Sequence, residues 1–379
     1  MKTCWLTVAS VAFLAFGPWA TAADFCVGNS AELQAALDTA ATNNESDTIR
    51  IRAGDYPVPA GGFEYLPSTT ANLDDDLQLS GGWVPFFFPC GFTTADPAST
   101  RLDGGGIEPV MQMNVPALGL MEVSFLTFVN GAEAPKGGIA GLRVSSPLPS
   151  SARISISHNV FRNNSAGVSS GLFAVFFGGS GLEVGIFNNV FIDNSAVFNE
   201  FAAGAVAVVP PPSLQDDDQQ GNVPTVVFAH NTVSNNQSVD GAGGILLQVE
   251  STELDVVGNN LWGNSGDDLV LQSTGIAQAL RLLNNNIQSL RLEGTTAPTL
   301  DQGNINTQPV YADCGPGCFA LVPVLDSPLV NAGLDPAAFG LSWSLPATDA
   351  AGEPRINGPR IDIGAYEALE AIFADRFED

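Results

Sequence analysis

The chain has 379 residues, of which 45% are hydrophobic and 14% charged, so it holds enough apolar material for a sizeable core and is no disordered tail. Its 13 basic and 40 acidic residues give a formal net charge of −27, and such a surface repels phosphate backbones, which argues against nucleic acid as a partner. Only two histidines are present, which argues against a His-rich metal centre, whereas 40 glycines and 25 prolines indicate many turns and few long helices.

The N-terminal residues 1–22 have the three parts of a secretory signal peptide. Lys2 is followed by an apolar run from Trp5 to Phe16 and by small residues that end at Ala22. The apolar run has about 12 residues, fewer than the roughly 20 that a helix needs to span a bilayer, and no longer run follows. We therefore expect cleavage after Ala22, an extracytoplasmic location (periplasm, cell surface or medium) and no transmembrane segment.

The best helical pattern follows the signal peptide. Apolar residues recur at helical spacing from Ser30 to Ala41, and Ser30 is a possible N-cap. A helix here would cover the end of a stack of strands, which otherwise exposes apolar side chains and unpaired edges. The first strands and turns are expected at 49–51, 54–56, 77–83 and 102–106.

Four cysteines remain after the signal peptide: Cys26, Cys90, Cys314 and Cys318. An even number in an oxidising compartment favours disulfides. Of the three possible connectivities we favour Cys26–Cys90 with Cys314–Cys318, because Cys-Gly-Pro-Gly-Cys can fold back on itself. A four-thiolate zinc site is less favoured, because structural zinc sites usually have two close cysteine pairs.

A repeated unit occupies the middle of the chain. Its copies, at 154–166, 184–196, 226–238, 254–266 and 280–292, are anchored on Asn159, Asn189, Asn231, Asn260 and Asn286. The anchors lie 30, 42, 29 and 26 residues apart, and an insertion at 210–221 accounts for the long interval. Apolar residues at strand spacing flank each anchor, whereas asparagine suits a bend because it tolerates the left-handed backbone region.

A unit of short strands and tight bends buries its apolar face only by stacking on further copies. The sequence therefore predicts an all-β, right-handed, single-stranded parallel β-helix with an N-terminal capping helix. The anchor asparagines are expected to form a structural ladder of amide hydrogen bonds, the alternative being a row that grips a sugar. The expected organisation is a signal peptide (1–22), an N-terminal cap and first rungs (23–110), β-helix repeats (111–300), C-terminal rungs and cap (301–367) and a tail (368–379).

The order of these segments resembles secreted bacterial right-handed parallel β-helix proteins of the pectin-lyase-like superfold, particularly those with a choice-of-anchor C-terminal region. The motifs that carry the resemblance are TIRIRAGDY, LSGGW, TRLDGGG, NNLWGNSGDDLVL, SPLVNAG and DAAGEPRINGPRIDIGAYE, of which the last, at 349–367, is the most specific. The resemblance covers most of the mature chain and implies this fold and an extracytoplasmic address. It implies no particular reaction, because the superfold carries lyases, hydrolases, adhesins and inert stalks.

No complete catalytic set is present in the sequence. A polyuronate lyase needs a basic residue to take a proton, but Lys136 is the only lysine after the signal peptide. A hydrolase of this superfold would gather Asp carboxyls near one rung, and the weak candidates are Asp193, Asp240, Asp267 and Asp268. Adjacent strand residues point to opposite faces, so the last two would not share one cleft.

The remaining polar residues favour structural roles. His158 and His230 occupy bend positions that other copies fill with asparagine, so we expect them to be members of the ladder rather than catalytic bases. Asp74–Asp76 and Asp216–Asp218 could offer oxygen ligands to Ca²⁺, but neither has the spacing of a calcium loop. We therefore expect no metal site and no cofactor, with Ca²⁺ as a weak alternative.

We expect an exported, non-catalytic and monomeric protein that binds extracellular glycan or cell-surface material, as adhesins do. The insertion at 210–221 and the aromatic-rich segment 83–92 are the expected contact surfaces, because both interrupt the repeat and exposed apolar patches mark contact sites. Equally, the phenylalanines at 86–88 could pack over the first rungs. Two alternatives stay open: a carbohydrate-active enzyme (polysaccharide lyase or glycoside hydrolase) with an Asp-based site, and a passive structural spacer.

Overall fold

The computed structural model describes residues 22–67, 74–116, 118–132, 140–178, 181–197, 203–209, 224–248, 252–273, 279–294, 297–313 and 321–368. The chain winds through three sheets, A, B and C, and each turn of the winding, or rung, adds one strand to each sheet. Consecutive rungs pair in parallel. The protein is therefore a parallel β-helix, and the predicted fold class is confirmed.

Rungs 1 to 8 are numbered by their strands in sheet A: Asp47–Arg52, Leu77–Val84, Leu120–Ser124, Arg153–Ser157, Glu183–Phe187, Thr225–Ala229, Glu253–Val257 and Ala279–Leu283. Ala23–Val27 precedes rung 1 in this sheet and Leu300–Gln302 follows rung 8. Sheet B contains Gly54–Pro57, Thr100–Asp103, Thr127–Val129, Val160–Arg162, Val190–Ile192, Thr232–Ser234, Asn260–Trp262 and Asn286–Ile287.

Sheet C contains Phe63–Tyr65, Met111–Asn114, Leu142–Ser150, Leu172–Gly178, Val206–Val209, Ala242–Gln248, Asp267–Ser273 and Leu290–Gly294. A short fourth sheet contains Ser165–Ala166, Ser195–Ala196 and Gln237–Ser238, and Phe92–Thr93 pairs antiparallel with the rung 2 strand of sheet A. Two 3₁₀ turns, Pro97–Ser99 and Pro336–Phe339, complete the described elements.

The core fills the inside of the winding. Inward-facing apolar residues alternate with outward-facing ones along each strand, and parallel register stacks equivalent side chains from rung to rung. In sheet B the rings of Phe128, Phe161 and Phe191 stack almost in parallel, with centroids 4.8 and 4.7 Å apart. The repeat seen in the sequence is therefore the spacing that brings like side chains into contact.

The helix α1, Ser30–Ala40, covers the N-terminal end of the stack, as the sequence predicts. Its N-cap is Asn29 rather than Ser30, because the Asn29 side chain accepts a hydrogen bond from the backbone N of Glu32 at 3.0 Å. Its apolar side, which includes the fully buried Leu37, lies against the first strands of sheets A and C.

The predicted disulfide between Cys26 and Cys90 is confirmed, with the two Cα atoms 5.8 Å apart. It joins the first strand of sheet A to a hairpin that leaves the sheet after rung 2. Cys314 and Cys318 lie outside the described residues.

A ladder of buried asparagines follows the bend between sheets A and B. Each side-chain Nδ2 donates to the Oδ1 of the next member, over distances of 3.0 to 3.2 Å. The members are Asn159, Asn189, Asn231, Asn259, Asn285 and Asn304. From Asn189 onward each amide oxygen also accepts the backbone N–H of the preceding member, so rungs 4 to 8 are joined by both backbone and side chain.

The alignment of the last two anchors in the sequence is wrong by one residue, because Asn260 and Asn286 are not in this ladder. They begin strands of sheet B in register with Thr232 and form a separate pair, with 2.9 Å from Nδ2 of Asn286 to Oδ1 of Asn260. The tandem asparagines of these copies fit either position in the sequence. Only the preceding residue of each pair points into the ladder.

The left-handed backbone of the bend belongs to the residue before each ladder asparagine. These residues, with φ between 51° and 71°, are His158, Asn188, His230, Gly258, Asn284 and Gly303, and Phe125 has the same conformation at the bend of rung 3, before Leu126. They form a bend column on the outside of the ladder. The sequence expectation that the anchors themselves take this conformation, and that the histidines belong to the ladder, is thereby corrected.

A second ladder, which the sequence analysis missed, follows five residues after the first. It contains Asn164, Asn194, Asn236 and Asn264, with side-chain distances of 2.8 to 2.9 Å, and ends on the carboxylate of Asp268. The two ladders fix both ends of the short sheet B strands in rungs 4 to 7.

We expect Asn231→Ala to lower the free energy of unfolding by about 3–5 kcal/mol, because the buried backbone N–H of Asn189 loses its acceptor and the side chains of Asn189 and Asn259 each lose one hydrogen bond. The exposed Asn306 is the matched control, and its replacement by Ala should cost less than about 1 kcal/mol. Urea unfolding measures both. Equal losses in the two variants would contradict the role of the ladder.

The C-terminal residues 321–368, named the strap, pass along the outside of sheets A and B. The Thr348 carbonyl oxygen accepts hydrogen bonds from Nε2 of His158 at 3.1 Å and from Nδ2 of Asn188 at 2.7 Å, so the strap contacts the bend column of rungs 4 and 5. The outward apolar residues that it packs against are Val160, Val190, Ile192, Val227, Ala229, Val257 and Leu283. Because these side chains face outward, the strap completes the burial that the winding alone leaves open.

Arg355 is the buried centre of the strap. Its guanidinium donates to Nδ1 of His230 in the bend column and to backbone carbonyls of Asp362 and Gly364, and its Nε lies 3.3 Å from the Glu367 carboxylate. Donation to His230 requires that Nδ1 of this ring carries no proton. The most specific motif of the sequence, at 349–367, thus closes a buried polar network that attaches the strap to the β-helix.

We expect Arg355→Met to lower the free energy of unfolding by about 3–5 kcal/mol, because it leaves the Glu367 charge buried without its cation. The exposed Arg360 is the matched control, and Arg360→Met should stay within about 0.5 kcal/mol of the wild type. Urea unfolding gives the energies, and limited proteolysis should show earlier cleavage within the strap of the first variant only. The same behaviour in both variants would exclude an anchoring role.

Candidate functional site

The aspartates proposed from the sequence do not form a common site. Asp193 is an exposed bend residue with φ of 57°, and Asp240 is exposed in the turn before a sheet C strand. Asp267 forms an ion pair with Arg291, with 2.7 Å between Oδ2 and Nε. Among the described residues, none of the four candidates contacts another through a hydrogen bond or ion pair.

Asp268 has a structural role. Its Oδ1 accepts from the backbone N and Nδ2 of Asn264, and its Oδ2 accepts from the backbone N and Oγ of Ser289. Burial raises its pKa, and these hydrogen bonds act in the opposite direction. The side chain therefore ends the second ladder and has no free oxygen to offer a substrate.

Metal ligation finds no support within the described ranges, where no three His, Cys, Asp or Glu side chains come together as ligands. Asp74–Asp76 precede rung 2, and Oδ1 of Asp76 accepts the backbone N of Leu120 at 2.7 Å. Asp216–Asp218, the insertion at 210–221, Lys136, residues 1–21 and the tail from 369 lie outside the described residues. No helix in the described part of the chain combines the length and apolar character that crossing a membrane requires.

The two histidines are also structural. Burial lowers the pKa of His158 to about 4, with the hydrogen bond to Thr348 opposing the shift. Burial and the neighbouring Arg355 hold the pKa of His230 well below its ordinary value. Both rings are therefore neutral near pH 7, and both lie beneath the strap.

The pKa of His158 makes stability depend on pH. The folded ring resists protonation down to about pH 4 while the unfolded ring binds a proton near pH 6.5, so stability is full above pH 6.5 and falls toward pH 4 by about 3 kcal/mol. Glu367 has the opposite effect on stability. Burial raises its pKa to about 7, so its contribution to stability is present below its ordinary pKa and is lost as the pH rises toward 7.

We expect His158→Asn to remove the histidine part of this loss, since Asn188 shows that asparagine fits the same bend and donates to the same carbonyl. Urea unfolding of wild type and variant at pH 7 and pH 4.5 isolates the effect. An unchanged difference between the two pH values in the variant would contradict it.

A row of polar side chains distinguishes the outer surface of sheet A in rungs 2 to 4, named the polar face. Ser80, Ser124 and Ser157 lie in register on consecutive strands. A parallel row begins at Gln78 and continues through Glu122. The polar side chains of the face are Gln78, Ser80, Glu122, Ser124, Arg153, Ser155 and Ser157, all of them partly or fully exposed. The face thus presents hydroxyl, amide and charged groups about 4.8 Å apart from rung to rung.

Aromatic rings bound the polar face at both ends. At rung 2 the indole Nε1 of Trp83 donates to Oγ of Ser80 at 2.9 Å. At rung 5 the ring of Phe187 folds over Gly185, where a Cβ would lie 2.1 Å from it, and faces Trp343 of the strap with 5.9 Å between centroids. From there the strap covers the apolar outer residues Val227, Ala229, Val257 and Leu283, whereas Glu183, Glu253 and Arg281 keep the other side of the sheet polar. The strap therefore leaves the polar face accessible.

Glu122 and Arg153 are the charged residues of the polar face. Burial raises the pKa of Glu122, the nearby Asp76 raises it further, and Arg153 lowers it. Within the described residues Glu122 makes no hydrogen bond to another side chain. A half-buried carboxyl beside an exposed guanidinium offers an acceptor and a donor to a polar ligand.

An apolar hairpin adjoins the polar face at rung 2. It leaves the sheet at Val84, returns at Phe92 and is tied to the first strand by the disulfide of Cys90. We call this segment, residues 84–92, the Phe hairpin. The side chains of Phe86, Phe87 and Phe88 at its tip are 72%, 82% and 74% exposed. They do not pack over the first rungs, and the alternative that the sequence left open for them is wrong.

Sequence reasoning marked the hairpin but missed the polar face. The alternation Ile-Ser-Ile-Ser at 154–157 shows serines facing outward in one copy. That these serines align with Ser80 and Ser124 depends on register between rungs of unequal length. The sequence does not give this register, so the polar face could not be predicted from it.

Comparison with protein-family models finds no match, and comparisons with curated proteins and with solved structures likewise find no significant match. The site must therefore be interpreted from its own geometry.

Proposed function

We propose that the protein is exported through its N-terminal signal peptide and acts as a non-catalytic β-helix that binds extracellular glycan on the polar face. The observation that carries the proposal is the in-register row of Ser80, Ser124 and Ser157 between two aromatic boundaries. Its outer members are roughly 10 Å apart, which suits successive sugars of an extended chain. Hydroxyl side chains both donate and accept, as sugar hydroxyls do.

The charge of the chain narrows the ligand class. A net charge of −27 repels polyuronates and other anionic polymers, so neutral or amino-sugar polysaccharides are the better fit. Arg153 and Glu122 supply one donor and one acceptor of opposite charge, and the apolar faces of Trp83 and Phe187 can pack on sugar rings. The four aspartates considered as catalytic candidates do not belong to the polar face.

We expect the double variant Ser124→Leu, Ser157→Leu to bind its polysaccharide at least tenfold more weakly, because it removes two of the three hydroxyls of the row. A panel of neutral, amino-sugar and acidic polysaccharides first identifies the ligand by affinity electrophoresis of residues 23–379. Ser234→Leu, on the outer surface of sheet B, is the matched control and should bind as the wild type does. Equal affinity in both variants would exclude the polar face.

A second candidate, a glycan-cleaving enzyme, is favoured by the proximity of Glu122 and Asp76, which together with burial raises the pKa of Glu122, since two neighbouring carboxyls can divide acid and base roles. Release of new reducing ends by the wild type, abolished by Glu122→Gln with binding retained, would replace the non-catalytic proposal with this one. Absence of both binding and release would favour a passive spacer.

A further inference from the structure

The Phe hairpin is an exposed apolar feature that glycan binding on the polar face does not explain. Folding buries aromatic side chains because each removes a large apolar area from water. Here three consecutive phenylalanines and, across the hairpin, Phe92 at 58% exposure remain in water. Exposed apolar groups in such concentration mark a contact surface.

The chemistry of the tip is uniformly apolar. From Val84 to Pro89 the sequence is Val-Pro-Phe-Phe-Phe-Pro, without one side chain that donates or accepts a hydrogen bond. Rings of Phe86 and Phe87 contact each other edge to face at 4.4 Å. A sugar needs hydrogen-bonding groups at its hydroxyls, so the tip does not fit the ligand proposed for the polar face.

The base of the hairpin is held firmly. The disulfide fixes Cys90 to Cys26, the backbone N of Gly91 donates to the Val84 carbonyl at 3.2 Å, and Arg50 stacks 4.8 Å above the Trp83 ring. A projecting apolar tip on a fixed base loses little conformational freedom when it enters a nonpolar phase.

Positive charge lies at this base in a chain that has only 13 basic residues. Arg50 is paired with Asp24, whereas Arg52 is exposed and forms no ion pair within the described residues. An apolar tip above a guanidinium matches the interface of a bilayer, where acyl chains lie beneath headgroup phosphates. The net negative charge of the whole protein favours zwitterionic over anionic headgroups.

We propose that the Phe hairpin inserts into the interface of a zwitterionic lipid membrane and holds the protein at a membrane surface. This contact is independent of glycan binding on the polar face. A bilayer is favoured over a protein partner because it accepts apolar side chains without a complementary pocket.

Cosedimentation of residues 23–379 with phosphatidylcholine vesicles tests the proposal. We expect wild type to partition onto the vesicles and the triple variant Phe86→Ser, Phe87→Ser, Phe88→Ser to partition at least tenfold less. Ile107→Ser, at a residue equally exposed elsewhere, is the matched control and should behave as wild type. All changed positions are exposed, and the urea midpoint checks that each variant is folded.

Tryptophan fluorescence provides a second test of membrane insertion. In Phe87→Trp, the emission of the added indole should shift to shorter wavelength when vesicles are added, and brominated acyl chains should quench it. Failure of wild type to bind, or equal binding by the triple variant, overturns the proposal. So does concentration-dependent self-association that the triple variant abolishes without any vesicle binding, which would assign the tip to a protein surface. Polysaccharide binding by the triple variant reports separately on the polar face.

Discussion

The buried asparagine ladder at the bend between sheets A and B is the constraint on which the rest of the structure depends. An amide buried in the winding must find its partner on the next rung, so the ladder fixes how rungs stack. The residue before each ladder member then takes the left-handed conformation, and its side chain points outward. His158 and His230 lie at these positions and meet the strap there. One bend thus organises both the core and the attachment of the C terminus.

The strap divides the surface of sheet A. It attaches through the buried network of Arg355 and covers the apolar outer residues of the later rungs. What it leaves accessible in rungs 2 to 4 is polar, with an apolar hairpin at one end. Glu367 and His230, whose pKa values burial displaces, belong to this attachment. The shifted pKa values of these two residues therefore reflect a structural role and do not identify a catalytic site.

The fold followed from the sequence because the stacking period and the apolar alternation are local properties. The ladder could be predicted through Asn231, but the tandem asparagines at 259–260 and 285–286 satisfy the same spacing in two ways, and only contacts between rungs choose between them. The strap could not be predicted, because its contacts join residues more than a hundred positions apart, such as Arg355 and His230. Asp268 suggested catalysis in the sequence, whereas its position at the end of a ladder is visible only in three dimensions.

If the polar face binds glycan, as we propose, its strands should be protected when the ligand is bound. Hydrogen–deuterium exchange of the mature protein, with and without a saturating polysaccharide, tests this without any substitution. We expect protection at 77–84, 120–124 and 153–157 and no change in the strap or at the sheet C turns. Protection confined to the strap, or to the turns that carry Asp193 and Asp240, would contradict the account.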